Sequence, residues 1–264
     1  MEPSTVALVG ILSAAALAAV LFAVERPPVT RRTVLAAAPW AVAAGVLHAL
    51  ATVGAYPPAL APFFQFPGVF IVAFVVGTLV WIPLLQLAAM RDYPAGTGQY
   101  LAAAGSGLSV VLLVVLLLRQ GIDPDAMLWL AATPFLGAVL TAVLYFMLGF
   151  VDATTLSTTR WVGFLVVFGF AVLGTTFAVS VDAYGVLPGW PVDLLVALGR
   201  ELPTAPTSTG WPVAVVAGVL GLVIAVLVAR VIRESTVTGY GLAVAVAAVS
   251  LGPAISHLLL LTVG

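Results

Sequence analysis

Three ionisable side chains lie in or at the ends of otherwise apolar segments of this chain: His48, Asp182 and His257. Imidazole and carboxylate groups can bind a divalent metal, relay protons, or hydrogen-bond a polar solute or a lipid headgroup. Tyr56 and Tyr184 follow His48 and Asp182 closely in the sequence. We group these five residues as one candidate ligand-binding or polar cluster, to which neither a catalytic residue nor a metal ligand is assigned.

The neighbours of these groups at helical spacing are mostly small. They are Ala41, Ala44 and Gly45 for His48, Ser250, Pro253 and Ala254 for His257, and Thr175 and Ala178 for Asp182. Such faces allow a second helix to approach, so we expect the three groups to point into the protein and not into lipid. The alternative is that each histidine makes only an interhelical hydrogen bond, and that Asp182 is a solvated helix end.

The composition is that of an integral membrane protein, since 63% of the 264 residues are hydrophobic, 7% are charged, and the mean hydropathy is +1.24. A span needs roughly 20 apolar residues. Eight segments meet this length, at about 5–24, 33–55, 68–90, 100–118, 126–150, 161–183, 212–229 and 239–263. The sequence therefore predicts an all-α, polytopic membrane protein with a single helical-bundle domain over residues 1–264.

The arginines predict the orientation of these helices. The loops on one side hold Arg26, Arg31, Arg32, Arg91, Arg160, Arg230 and Arg233, and those on the other hold only Arg119 and Arg200. Because basic loops stay in the cytoplasm, we expect both termini outside. The second, sixth and eighth helices then run outward and bring His48, Asp182 and His257 towards the same outer leaflet.

A shift of 128 positions aligns two parts of the chain. Thr30, Arg32, Val53, Ala55 and Tyr56 then match Thr158, Arg160, Val181, Ala183 and Tyr184. This pattern indicates a possible 4+4 parallel repeat, an arrangement common in transporters, whose sites lie near the repeat interface.

Two connecting segments are too apolar for ordinary aqueous loops. HALATVGAYPPALAPFFQFP, from His48 to Pro67, either folds back over a cavity with His48 below it or lies in the headgroup zone. PVDLLVALGRELP, near 191–203, is predicted to be a helix in the outer interface or a buried cap over the bundle.

Other features favour structural roles. Gly105, Ser106 and Gly107 predict close helix packing. The hydroxyl-rich segment after Asp152 predicts a turn with a helix cap. Trp40, Trp81, Trp161, Trp190 and Trp211 lie near predicted helix ends and are interpreted mostly as interfacial anchors.

Absent residue types exclude several classes of function. The chain has no cysteine, so disulfides, thiolate metal sites and cysteine nucleophiles are excluded. All nine basic residues are arginines, which leaves no lysine for a Schiff base or a phosphate loop. We expect no cofactor. A net charge of −1 without a basic stripe predicts no nucleic-acid partner, so the expected partners are the lipid bilayer and a small solute or lipid ligand.

The run FAVERPPVTRRTVLAAAPWAVAAGVLHALATVGAYPPALAPFFQFPGVF resembles an uncharacterised archaeal integral-membrane family, domain of unknown function number sixty-three. The likeness extends through ELPTAPTSTGWPVAV to SLGPAISHLLLLTVG. It implies an archaeal cell-membrane location and no known activity. Members of that family tend to carry a histidine and an aspartate in the sixth helix, where this chain has Phe170 and Leu173. The resemblance therefore implies that part of such a polar pair is missing.

Three functions fit these observations. The first is binding or movement of a small solute or lipid through an outer-facing cavity with the His48 region at its floor. The second is an intramembrane metal- or histidine-dependent enzyme, which requires His48, Asp182 and His257 to converge. The third is a non-catalytic membrane scaffold. We prefer the first, and the enzyme and the scaffold are its alternatives.

Overall fold

A computed structural model describes residues 3–90, 97–121, 123–186 and 210–263. The described residues form nine α-helices and one 3₁₀ turn, Ala61–Phe64, with no strand. The helices are α1 (Pro3–Glu25), α2 (Arg31–Thr52), α3 (Gly68–Met90), α4 (Thr97–Gln120), α5 (Pro124–Val151), α6 (Ala153–Thr159), α7 (Trp161–Tyr184), α8 (Trp211–Glu234) and α9 (Thr236–Val263). The helix predicted near 191–203 lies outside the described residues, as does Trp190.

The protein is an all-helical, polytopic membrane protein. Seven of the described helices are long and apolar enough to cross a bilayer, and α1 contributes a shorter apolar stretch, Leu12–Glu25. Their bounds fall within a few residues of the predicted segments, because charged and proline-rich breaks end the apolar runs. The orientation with both termini outside stays a prediction.

The chain divides into two compact units, Met1–Arg119 and Gln120–Gly264. Among the described helices, four long ones belong to the first unit and four to the second. The single bundle predicted for residues 1–264 and its parallel repeat stay predictions.

In the first unit, α3 packs against α1 and α2, and the 3₁₀ turn contacts α1, α2 and α3. Trp40 joins α2 to α4, because its indole Nε1 donates to the carbonyl oxygen of Leu101 at 3.1 Å. A Cβ added to Gly105 would lie only 2.7 Å from that nitrogen, so this glycine allows the close packing predicted from the sequence. Trp40 is 7% exposed, and its interpretation as an interfacial anchor is wrong.

In the second unit, α7 packs against α5, α8 and α9. In the most apolar stretch of α7, 72% of the residues are buried. Gly174 lies so close to α8 that an added Cβ would be 2.7 Å from the Cα of Ala214. Small residues at the helix crossing therefore bring the two backbones together, as is usual where lipid supplies no hydrophobic drive for helix association.

The α5–α7 connection is the capped turn that the sequence predicts. The Asp152 carboxylate accepts hydrogen bonds from the backbone N–H of Thr155 at 3.0 Å and from its hydroxyl at 2.6 Å, which caps α6. These two bonds lower the pKa of Asp152 below its ordinary value. Arg160 has φ 48°, and the hydroxyl of Tyr145 donates to its carbonyl oxygen, which fixes the junction between α6 and α7.

Candidate functional site

His48 lies near the end of α2 and contacts the chain that follows this helix. We call residues 53–67 the proline-rich segment. Its Nδ1 is 3.0 Å from the carbonyl oxygen of Phe64, so this nitrogen carries the proton and donates. Its ring also packs against that of Phe66, with centroids 3.8 Å apart. The segment is thus folded onto the helices of the first unit, and both observed contacts of His48 serve that packing.

The same segment is fastened at Tyr56. The Tyr56 ring stacks on that of Phe64 with centroids 4.3 Å apart. Arg119 donates from Nη1 to the carbonyl oxygen of Ala55 at 3.3 Å. The Tyr56 hydroxyl is buried and has no hydrogen-bond partner among the described residues. Burial raises the pKa of Tyr56, and the positive charge of Arg119 opposes this shift.

His257, in α9, makes an interhelical contact with α7. Its Nε2 is 3.3 Å from the hydroxyl oxygen of Ser180, and its ring meets that of Phe177 edge to face at 5.5 Å. The single proton of the Ser180 hydroxyl can also be donated to the carbonyl oxygen of Val186, at 3.0 Å. The carbonyl oxygen of Val186 and His257 Nε2 therefore both lie within hydrogen-bond distance of this hydroxyl, and the histidine tautomer decides which of them its proton faces.

Asp182 and Tyr184 lie at the end of α7. The Asp182 carboxylate accepts a hydrogen bond from the backbone N–H of Gly210 at 2.6 Å, so it ties the start of α8 to α7. Asp182 follows Ser180 by two residues, and side chains two apart on a helix do not share a face. Tyr184 is the half-buried last residue of α7.

The structure thus gives His48, Tyr56, Asp182 and His257 contacts within their own units. His48 and Tyr56 belong to the first unit, and Asp182, Tyr184 and His257 to the second. Across the described ranges, no group of three histidine, aspartate or glutamate side chains could hold a metal ion. His257 fits the structural interpretation of a satisfied interhelical histidine, and Asp182 is more than a solvated helix end.

A cavity of about 390 Å³ lies in the first unit, at the other end of α2. It is lined by the start of α2, the second half of α3 and the start of α4. We call it the arginine cavity; its walls are Pro28, Thr30, Arg31, Arg32, Thr33, Trp81, Leu85, Thr97 and Gly98. This volume falls within the range of small-molecule sites, and the mixture of apolar wall and few polar groups is typical of them.

Two N–H donors in the wall are buried and have no hydrogen-bond partner among the described residues. They are the Nε of Arg31 and the indole Nε1 of Trp81. Buried polar groups are nearly always satisfied by protein, water or a ligand, so each such exception requires a cause. Trp81 also lines this cavity, and its interpretation as an interfacial anchor stays a prediction.

The sequence pattern does not predict this cavity, because arginines beside a span indicate its orientation and not what they line. A signal was available, since the ends of α2, α3 and α4 that share one predicted side of the membrane carry arginine, tryptophan, threonine and glycine. Trp81 lies nine residues before the end of α3, which is deeper than an interfacial anchor requires.

None of the protein-family models, curated proteins or solved structures compared with this chain matches it significantly.

Proposed function

We propose that this multi-pass membrane protein binds a small solute or a lipid, and that the arginine cavity is the binding site. The observation that carries the proposal is a cavity of about 390 Å³ whose described wall combines apolar side chains with two arginines and three threonines.

This site lies at the opposite end of α2 from the region first predicted. Arg31 and His48 are separated by 17 residues of one helix, or about 26 Å at about 1.5 Å per residue. His48 donates to the Phe64 carbonyl and packs on Phe66, and these contacts support a structural role. The arginine cavity is therefore the better candidate for ligand binding.

An enzymatic function has less support. The Val186 carbonyl oxygen, at 3.0 Å, competes with His257 Nε2, at 3.3 Å, for the single proton of the Ser180 hydroxyl. In the sixth predicted span, Phe170 packs against α8, since a Cβ added to Gly221 would lie 2.9 Å from the Phe170 Cβ. Apolar packing at this position supplies no group for acid–base chemistry.

We propose the cell membrane as the location, and we propose membership of the archaeal family on the sequence runs given above. The support for the membrane is the set of long apolar helices. The support for the family is the stretch from α2 through the proline-rich segment to the start of α3. Both proposals are independent of the chemistry of the arginine cavity.

The test is a ligand search with a filled cavity as the comparison. Protein purified in mild detergent would be analysed by native mass spectrometry and by extraction of small molecules. The variants are Leu85→Trp, which puts an indole into the cavity, and Leu118→Trp, which makes the same change at a side chain that is 81% exposed. We expect wild type and Leu118→Trp to retain a ligand and Leu85→Trp to lose most of it.

Two further variants complete this test. Gly98→Leu fills the cavity from α4 and replaces Leu85→Trp if that variant does not fold. The double variant His48→Ala, His257→Ala should keep the ligand. Loss of the ligand from this variant would indicate that the histidines, and not the cavity, form the binding site. A wild type that is empty, or a ligand indifferent to filling of the cavity, contradicts the proposal.

A further inference from the structure

The proline-rich segment turns one of its faces towards the protein. The rings of Phe64 and Phe66 pack on Tyr56 and on the α2 histidine, with centroids 4.3 and 3.8 Å apart. The third phenylalanine, Phe63, lies against α1, since a Cβ added to Gly10 would be 3.5 Å from its ring. The aromatic side chains of the segment are therefore directed inward.

The opposite face is exposed and apolar. It is centred on Leu60, which is 48% exposed. The other exposed residues of the stretch 57–67 are prolines, an alanine and one uncharged polar residue. They are Pro57, Pro58, Ala59, Pro62, Gln65 and Pro67. The chain has no aspartate, glutamate, lysine or arginine from residue 33 to residue 90, so the flanking helices are equally uncharged. An exposed apolar face of this kind is typical of a contact with a membrane or with another protein.

The backbone of the segment favours a membrane over water as this partner. Six residues donate their backbone N–H to a backbone carbonyl oxygen: Val53, Gly54, Ala55, Leu60, Ala61 and Phe63. Four more are prolines, which have no N–H. Unpaired backbone donors are strongly unfavourable where water is scarce, so their pairing or removal allows non-helical chain to lie next to lipid.

Two neighbours of the segment set the depth of its exposed face. The Arg119 guanidinium donates to the carbonyl oxygen of Ala55 at 3.3 Å, and arginine side chains near the ends of spans lie at the level of the headgroups. On the other side, α3 begins at Gly68, directly after the segment, and its exposed Phe74 lies about 9 Å further along at about 1.5 Å per residue. The face with Leu60 is therefore continuous with the exposed surface of a membrane-spanning helix.

We propose that this face of the proline-rich segment lies in the interfacial layer of the bilayer and binds lipid there through apolar contacts. Its partner is the boundary between headgroups and acyl chains, without preference for lipid charge, because the exposed side chains are uncharged. The segment is then an anchor that fixes the level of α2 and α3 in the membrane. It lies at the other end of α2 from the arginine cavity, so this contact is independent of ligand binding there.

The absence of cysteine from the chain allows single positions to be labelled. The full-length Leu60→Cys variant, carrying a nitroxide, is reconstituted at low density in phosphatidylcholine vesicles. Electron paramagnetic resonance then measures how strongly the label is relaxed by oxygen, which partitions into the bilayer, and by a water-soluble nickel chelate. The reference variants are Phe74→Cys, on the exposed face of α3, and Glu234→Cys, at the exposed and charged end of α8.

We expect the ratio of oxygen to nickel relaxation at Leu60 to resemble that at Phe74 and to exceed that at Glu234 by at least about threefold. Ala59→Cys, at the neighbouring exposed residue, should give the same result, and it replaces Leu60→Cys if that variant does not fold. Addition of phosphatidylglycerol to the vesicles should leave the ratio nearly unchanged, because no charged side chain lies on this face.

Three results overturn the proposal. A label at Leu60 that nickel relaxes as strongly as the label at Glu234 would place this face in water. A label that neither reagent reaches would show that protein covers the face, either a second copy or another part of the chain. Lipid contact that occurs only with phosphatidylglycerol would show that charge, and not apolar contact, is responsible.

Discussion

The two units use similar residues to build different interiors. In the second unit, α7 is surrounded by three helices and closely packed through Gly174 against α8. In the first unit, 61% of the most apolar stretch of α2 is buried, but only 17% of that of α3 and 22% of that of α4; in the second unit only α5 is as low, at 22%. The arginine cavity lies beside α3 and α4. A closely packed unit favours rigidity, whereas a more open one leaves space for a ligand.

The largest expected effect is on packing in the second unit. Gly174→Leu would place a Cβ 2.7 Å from the Cα of Ala214, and neither backbone can move away easily. Overpacking of this kind costs typically about 1–3 kcal/mol, and the backbone contact puts this site at the upper end. We expect a large drop in the thermal unfolding temperature in detergent.

The matched control for this prediction is Gly241→Leu, in α9 of the same unit. Nothing lies within 4 Å of a Cβ added at Gly241, so the same substitution should leave the unfolding temperature nearly unchanged. Equal losses in the two variants would show that leucine itself, and not the α7–α8 contact, is responsible. The contrast between the units would then be wrong.

The two histidines provide a medium-sized effect. His48→Phe retains a ring against Phe66 but loses the donor to the Phe64 carbonyl, a bond worth about 1 kcal/mol. Hydrogen exchange in residues 57–67 should therefore be about fivefold faster. His257→Phe should have less effect near Ser180, because that hydroxyl still donates to Val186.

Hydrogen–deuterium exchange with peptide-level mass spectrometry measures both changes. Equal acceleration around the two positions would indicate that the histidines have equivalent roles. No acceleration in residues 57–67 of His48→Phe would contradict the assignment of His48 as the residue that holds the proline-rich segment.

The smallest effect is a pH dependence that should distinguish the helix caps of the two units. Hydrogen bonds from Thr155 hold the pKa of Asp152 below its ordinary value of 3.8. The ionised cap therefore stabilises the folded state above about pH 3.8, and its contribution is lost as the pH falls further through the folded-state pKa. Asp152→Asn should be less stable than wild type at neutral pH, and the difference should shrink below pH 3.8.

The control is Thr30, whose hydroxyl caps α2 without a charge. Thr30→Ala should lower the unfolding temperature by a similar amount at every pH between 3 and 7, apart from the pH dependence of wild type itself. A difference between wild type and Asp152→Asn that does not change with pH would contradict the electrostatic account of the second cap.

The helices could be predicted from the sequence more fully than their contacts. Apolar runs ended by charges and prolines mark the spans, and burial of Ala41, Ala44 and Gly45 confirms the inward face of His48. The partner of His48 is a backbone carbonyl. Because every residue has such a carbonyl, the sequence does not indicate this contact. The interpretation of Trp40 as an interfacial anchor is wrong because it depends only on how near Trp40 lies to a predicted helix end. In the structure the indole lies between α2 and α4, where Gly105 leaves space for it.

The cavity could not be predicted from periodicity alone. Arg31, Trp81 and Gly98 come from three helices, and only their packing shows that they share one wall. The sequence nevertheless shows the residue types involved, since it has arginines at the start of one span and a tryptophan well inside the next. Unpaired donors become visible only once the surrounding atoms are placed.

The central position of α7 affects how the protein responds to bilayer thickness. Its 24 residues extend about 36 Å, against a hydrocarbon thickness of about 30 Å. Because α7 is surrounded mainly by protein, hydrophobic mismatch reaches it chiefly through its neighbours. The more exposed α3 and α4 meet lipid directly and adjust by tilting. Since both line the arginine cavity, we expect membrane thickness to alter the shape of that cavity before it alters the surroundings of α7.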